Sequence, residues 1–446
     1  MIKRNQYLNQ LIEAKQNGFP KVITGVRRCG KSYLLKHIYH DYLVSQGVEE
    51  EQIVILELDD VNNAKYRNPM LLSTYIKEKA AKEEEAFYVF IDEIQLVSRI
   101  INPAFTNGEI VPAKKEEENV ISFVDVALGL SRLPNVDLYV TGSNSKFLSK
   151  DVVTEFRDKA TNIHLRPLSF REYFEYVGGE KYEAFYEFLR YGGMPLAALK
   201  KKVEAKEAYL KELFAATYLR DIIEHNAFRK SEALDEICDI VSYHSGQLLN
   251  SQKIANIFES RKKEKLGKET IDTYLDAFED AYLISEAKRS DVKGNTSIGA
   301  SRKYYFCDTG LRNARLDFSS PDFGQMVETL VYNELLIAGY SVKVGNFRQI
   351  EKDKEGKSVL KTYEIDFVAS KGNEKIYLQI SDNIDSESTR ERELRPFDLI
   401  KTPDKKYLLI NRPISPMRLQ NGVILAGVVD FILGLGDQGP LLEGSL

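Results

Sequence analysis

Gly25-Val26-Arg27-Arg28-Cys29-Gly30-Lys31-Ser32 follows the apolar run Val22-Ile23-Thr24 and precedes a stretch with Leu34, Leu35, Ile38, Tyr39 and Tyr42 at helical spacing. Strand, glycine-bounded loop, then helix is the local geometry that cradles a phosphate chain. Glycines let successive backbone amides turn toward one point, and the helix N-terminus adds the positive end of its dipole. A lysine at position 31 reaches β- and γ-phosphate oxygens, and a hydroxyl at 32 is a ligand for Mg²⁺. The expected nucleotide contacts are therefore Gly25, Val26, Arg27, Arg28, Cys29, Gly30, Lys31, Ser32 and Tyr33, with ATP and Mg²⁺ as cofactors. Lys31 also has a catalytic role. Arg27 and Arg28 either touch phosphate or face solvent, and the sequence leaves both open.

Two further strands carry chemistry at their ends. Phe87-Tyr-Val-Phe-Ile-Asp92-Glu93 is a buried run closing on two adjacent carboxylates, which is costly unless a cation compensates them. Asp92 is expected to hold Mg²⁺ through water and Glu93 to orient and activate the attacking water; the alternative is a strand ending in exposed acids. Leu138-Tyr-Val-Thr141-Gly142-Ser143-Asn144 is expected to lie between the other two strands. There Asn144, or else Ser143, hydrogen-bonds the γ-phosphate or the water; a capped helix start at Ser143 looks the same in sequence.

Beyond these strands, 446 residues with 43% hydrophobic side chains allow more than one core, about three domains as a prior. Net charge is only −5, from 62 basic and 67 acidic residues, so a polyanion would have to be met by a local patch. No apolar run approaches the roughly 20 residues of a membrane helix, and the polar start Met-Ile-Lys-Arg-Asn-Gln lacks a signal's apolar stretch. Cys29, Cys238 and Cys307 are too few and too scattered for a disulfide framework or a zinc cluster. The expectation is a cytoplasmic protein in a reducing compartment, with no membrane partner.

Along the chain, strands are expected at 21–25, 53–58, 87–92, 137–141 and 163–165, alternating with helices as in a parallel sheet buried on both faces. A polar insertion at 99–122 carries the solvated charge run Lys114-Lys-Glu-Glu-Glu118. Residues 169–228 turn helical and Tyr/Phe-rich. Helices at 232–243, 251–259 and 268–282, with a strand pair near 284–306, suggest a winged-helix-like module over 229–300. From 301 to 436 strands return around one long helix, 323–338, and the tail 437–446 has no pattern.

The segments GVRRCGKS (25–32), FIDEIQ (90–95), YVTGSNSKFLS (139–149) and RPLSFREYF (166–174) resemble one branch of the AAA+-type ATPases of bacteria and archaea. The segments YGGMP (191–195), YLRDII (218–223), YYFCDTGLRN (304–313), VETLVYNELL (327–336), EIDFVAS (364–370) and YLQIS (377–381) resemble members in which an uncharacterised domain follows the ATPase. The resemblance runs from Lys3 to about Leu433. It implies the AAA+ strand order and a helical lid at 169–228 behind a core at 1–168. It also implies a transition-state arginine at Arg157, presented in trans if the chain oligomerises. Where that family has Arg-Gly-Arg, this chain has Arg157-Asp158-Lys159, and a lysine lacks the planar fork of the second arginine. Hydrolysis is therefore expected to be slow or partner-dependent.

The fold class expected is α/β: a phosphate-loop parallel sheet with a helical lid, then a winged-helix-like module, then a nuclease-like α/β domain. DNA is a candidate partner of the last two. Arg261, Lys262, Lys263, Lys265 and Lys268 precede the third helix, yet that helix carries Asp272, Asp276, Glu279 and Asp280, which repel phosphate. In the C-terminal domain, Glu328 or Glu334 on the helix and Asp366 on a strand match the carboxylates of a Mg²⁺-dependent nuclease. Gln379 and Ser381 stand where an acid and a lysine would be needed, so a degenerate site is expected. Two rivals to the ATPase reading stay open: an ATP-gated scaffold with little turnover, and an ATP-regulated nuclease.

Overall fold

The computed structural model describes the chain except residues 1, 115–116, 143–155, 157–158, 216–221, 224–227, 229–231, 293–300, 320–321, 353–354 and 436–446. It divides into two compact units, Met1–Arg166 with Asp280–Tyr282, and Pro167–Glu279 with Leu283–Leu446. Among the described residues no helix is long and apolar enough to cross a membrane.

In the first unit, Lys21–Thr24 (β1), Ile53–Glu57 (β2), Phe87–Asp92 (β3), Val136–Thr141 (β4) and Thr161–His164 (β5) form an all-parallel sheet in the order β2-β3-β4-β1-β5. The inner strands β1, β3 and β4 are buried along their whole length, as continuous apolar runs covered on both faces should be, whereas the edges β2 and β5 are partly exposed. Asn5–Ala14 (α1) precedes the sheet. The helix after β1, α2, is built from Lys31–Tyr33, Leu34–Tyr39 and His40–Ser45 in unbroken succession. One face of the sheet packs Val22, Val89 and Leu138 against Leu72 and Ile76 of Pro69–Ala80 (α3) and Val126 and Leu130 of Phe123–Leu130 (α4). The insertion after β3 is pinned by a short antiparallel ribbon, Ile100–Ile101 against Val120–Ile121.

The second unit begins with Phe170–Val177 (α5), Lys181–Tyr191 (α6) and Val203–Glu212 (α7). A capping box starts α5: Ser169 Oγ accepts the Glu172 N–H (3.1 Å) and the Glu172 carboxylate accepts the Ser169 N–H (3.0 Å). At the other end of α6, Tyr191-Gly-Gly-Met-Pro meets Asp308-Thr-Gly-Leu-Arg-Asn. Buried Asp308 accepts N–H groups of Gly193 (2.6 Å) and Leu311 (2.9 Å), and Asn313 Nδ2 donates to the Leu189 and Arg190 carbonyls that end α6. A Cβ on Gly192 would strike the Asp308 carboxylate, and one on Gly310 would strike the Tyr191 carbonyl. Gly192 leaves room for the Asp308 carboxylate, and Gly310 lets the two backbones touch.

The chain continues as Glu232–Tyr243 (α8), Leu248–Leu249 (β6), Ser251–Lys262 (α9), Lys268–Asp280 (α10), Ile284–Ala287 (β7), Arg289–Asp291 (β8) and Arg302–Phe306 (β9). Strands β6, β9 and β7 make a small antiparallel sheet in that order. Helix α10 turns Ile271, Tyr274, Leu275 and Phe278 inward and leaves Asp272 and Asp276 exposed. After Thr309–Arg315 (α11) and Phe323–Ile337 (α12) come Ser341–Lys352 (β10), Ser358–Lys371 (β11), Glu374–Ser381 (β12), Glu387–Asp398 (α13), Lys405–Ile410 (β13), Met417–Arg418 (β14), Ile424–Gly427 (β15) and Val428–Gly434 (α14). They build a seven-stranded sheet, β8-β10-β11-β12-β13-β15-β14, in which β10, β11 and β12 are antiparallel neighbours and β12, β13 and β15 run parallel.

Candidate nucleotide-binding site

Because the first unit's strands all run one way, their carboxyl ends line a single edge. Ile23 is level with Thr141, Thr24 with His164, and Glu57 with Asp92. In open α/β sheets ligands bind at this edge, and the 25–32 loop leaves β1 there. Gly25 adopts φ +139° and lies so close to the Leu165 carbonyl oxygen that no side chain fits; Gly30, at φ +102°, caps α2 in the left-handed region. Val26 and Cys29 are buried beneath the loop, with the Cys29 thiol donating to the Leu165 carbonyl (3.4 Å), so Cys29 anchors the loop from below. Arg27, Arg28 and Tyr33 are exposed, and Ser32 is half-buried.

The Lys31 side chain is buried, its ammonium donating to the carbonyls of Gly25 (2.9 Å) and Val26 (3.0 Å). A cation thus points into the concave side of the loop. Asp92 ends β3 almost buried: one carboxylate oxygen accepts the Thr141 hydroxyl and the other faces the Lys36 ammonium at 3.6 Å. Lys36 also pairs with Glu57 at the end of β2. Ser32 opens the helix that follows the loop, and Lys36 on its π-helical second segment, Leu34–Tyr39, brings that helix to Asp92. Ser32 and Asp92 offer oxygen ligands of the kind Mg²⁺ takes, and the Lys36 ammonium, 3.6 Å from Asp92, would have to yield to the ion. Glu93 has φ +55° and is half-buried, its carboxylate accepting the Gln95 side-chain amide.

His164 was not expected. Its Nδ1 lies 2.9 Å from the Thr24 hydroxyl under an inclined Tyr282 ring, centroids 4.6 Å apart. Burial, with Arg166 and Lys31 nearby, pushes its pKa down to about 3, so the imidazole beside the loop is neutral at physiological pH. Lys36 was missed as well, although its spacing from Ser32 was the available signal. Asn144, Ser143 and Arg157 lie outside the described residues; Lys159 is exposed.

A parallel sheet whose carboxyl edge carries this loop and a buried Asp is a phosphate-loop AAA+ fold, and residues 17–174 match the family model described as "AAA domain". Residues 182–322 match "Domain of unknown function (DUF8612)". An uncharacterized protein of Haemophilus influenzae is 30% identical over 440 residues, 97% of this chain and 99% of that one. The chain belongs to that protein's family. An uncharacterized protein of Methanocaldococcus jannaschii is 28% identical over 417 residues, covering 89% and 82%. Among solved structures, the Aeropyrum pernix ORC2 protein in its ADP form superposes with TM-score 0.34 at 10% identity, over 73% of this chain and 92% of that one.

Proposed function

We propose that the chain binds ATP with Mg²⁺ and hydrolyses it, and that the nucleotide state governs the arrangement of the modules behind the core. The observation that carries the reading is the Lys31 ammonium turned into the loop after β1, at the sheet edge where β3 ends in the buried Asp92. In this reading the amides of Gly25 through Tyr33 enclose the phosphates, and Lys31 exchanges its two carbonyl partners for phosphate oxygens. Ser32 and Asp92 hold Mg²⁺, which would neutralise charge developing on the phosphoryl oxygens. Glu93 orients water, Asn144 senses the γ-phosphate, and Arg157 completes the site from another subunit.

The test is calorimetry of ATP with magnesium. Wild type should bind, and Lys31→Ala should show no heat at millimolar ligand while keeping its fold. Absence of heat with well-folded wild type ends the proposal.

One observation favours a second reading, an ATP-gated scaffold with little turnover. The Gln95 side-chain amide donates to one oxygen of the Glu93 carboxylate, which lowers its basicity toward water. A single-turnover phosphate-release assay separates the two, because a scaffold retains its ATP.

We read residues 232–306 as winged-helix-like, from the element order helix-strand-helix-helix followed by three strands, two of which join the β6-β9-β7 sheet while β8 pairs with β10. We read 323–410 as nuclease-like, from helix α12 leading into β10-β11-β12, then α13 and β13. DNA is not proposed to enter through α10. Its outward Asp272 and Asp276 repel phosphate, and of the basic residues before it Arg261 and Lys262 are taken up by Glu236.

A further inference from the structure

Three carboxylates converge beneath the seven-stranded sheet: Glu328 from α12, and Glu364 and Asp366 two apart on β11. In a nuclease-like domain such a cluster would gather Mg²⁺. Here an ammonium already stands among them. Lys303 reaches over from β9 of the three-stranded sheet and is almost fully buried. Its Nζ lies 2.9 Å from both Glu328 Oε1 and Glu364 Oε1. Glu328 accepts a further hydrogen bond from the Tyr305 hydroxyl at 2.6 Å. Tyr305 is itself stacked on Tyr332, centroids 4.3 Å apart, so the strand carrying the lysine is wedged in place.

The polar groups around the cluster have partners of their own. Asp366 accepts the Ile380 N–H at 2.8 Å. Gln379 Oε1 takes the Asp366 N–H at 3.4 Å while its amide donates to Glu393 at 2.9 Å. The Ser381 hydroxyl donates to the Asn383 carbonyl. Burial and the Glu328 charge push the Asp366 carboxyl above its usual range, Lys303 opposes that, and the same three acids raise the Lys303 ammonium despite its burial.

We propose that this cluster is a cation site whose cation is the tethered ammonium of Lys303, in place of a divalent metal. The inference deepens the nuclease-like reading of the domain and does not depend on the ATPase reading. Mg²⁺ wants about six oxygens at about 2.1 Å, and a second cation placed among these carboxylates would face an ammonium already bonded to two of them. The cluster therefore binds no divalent ion and cleaves no phosphodiester. Its work is to latch β9, and with it the three-stranded sheet, onto α12 and β11.

The test is Mn²⁺ binding by the full chain, read by electron paramagnetic resonance without nucleotide, in an Asp92→Asn background that removes the metal ligand of the core. With Lys303 present, no saturable Mn²⁺ site should appear at millimolar metal. A site that does appear and vanishes with Asp366→Asn overturns the proposal. Lys303→Met should lower the melting temperature by roughly 5–10 °C and create a Mn²⁺ site that restores it; adding Asp366→Asn should abolish the restoration. Lys303→Met that folds but takes up no Mn²⁺ also overturns the proposal. Should Lys303→Met fold under no condition, the titration of the lysine-intact protein decides. Failure of the ATPase reading is separable, because ATP heats should be the same with and without Lys303→Met.

Discussion

Glu93 follows a fully buried strand yet sits at φ +55°, a conformation that costs a non-glycine residue of order 1 kcal/mol or more. Strain kept at the end of a strand that also carries Asp92 suits a carboxylate aimed at a reacting atom, away from the bulk. In the proposed site its charge is not needed to hold nucleotide, since loop amides, Lys31 and Asp92 would meet the phosphates and the metal. Glu93→Gln should therefore retain ATP affinity within a few-fold and lose at least 100-fold in phosphate release, an effect within the usual range for a positioned general base. Calorimetry and a single-turnover assay on the same preparation check both halves, and normal turnover by the variant would reassign the water-activating role. Lys36 shows what the residue scale hides. Its ammonium faces the Asp92 carboxylate across a gap of 3.6 Å; the spacing from Ser32 hinted at the face of the helix it shares, but not at an Asp 56 positions away as its neighbour.

At the scale of elements, the join of α6 with α11 depends on backbone contact. Gly310 has an ordinary backbone conformation, so the obstacle to a side chain there is the Tyr191–Gly192 peptide, its carbonyl oxygen first. Gly310→Ala should destabilise the second unit by about 1–3 kcal/mol through overpacking while leaving ATP binding untouched. Thermal unfolding with and without ATP would show this as a drop in one transition only. The same join explains how far the sequence could be read. The five strands of the first unit follow from local signals, apolar runs bounded by polar ends, and the structure places them within two residues of expectation; the order of β4 between β3 and β1 came with the family resemblance, since no local signal carries strand order. The helices over 232–280 were legible for the same reason, from apolar spacing and capping residues. Tyr191-Gly-Gly and Asp308-Thr-Gly were quotable as motifs but not interpretable, because their meaning is a contact between residues 115 positions apart. The acids of α12 were ambiguous too: Glu328 joins Asp366 at the cluster, whereas Glu334 turns the other way and accepts the Phe170 N–H at 2.6 Å. The helical period allowed both, and packing chose. Lys303 went unseen because its partners arrive from a helix and a strand that follow it in the chain.

For the whole molecule, the two units carry buried titratable groups of opposite sense. In the first, His164 has its pKa pushed down to about 3, chiefly by burial. The unfolded chain takes up that proton near its ordinary value of 6.5, so this histidine's contribution to stability is present above pH 6.5 and lost as pH falls toward 3. In the second unit Glu334 is pushed up to about 8 and Asp308 to about 6, both mainly by burial. Glu334 faces Glu172, which raises it further, and Arg171 and the Phe170 N–H, which hold it down. The unfolded chain releases the Glu334 proton near 4.5 and the folded chain near 8, so the folded state holds the extra proton between those values. Its stabilisation is complete below pH 4.5, declines as pH rises, and is gone above about pH 8. Glutamine at 334 keeps an oxygen acceptor for the Phe170 N–H and removes the ionisation. Glu334→Gln should therefore match wild type near pH 4.5 and become more stable than it as pH rises, by an amount on the order of a few kcal/mol at pH 8. Calorimetric scans of both proteins at pH 5, 6.5 and 8 make the comparison, since a difference between the two isolates one group from the many surface carboxylates that titrate in both. A gap that stays constant across the three pH values would mean that Glu334 is ionised throughout, its charge met by Arg171. The link between α5 and α12 would then be an ion pair rather than a protonated carboxyl.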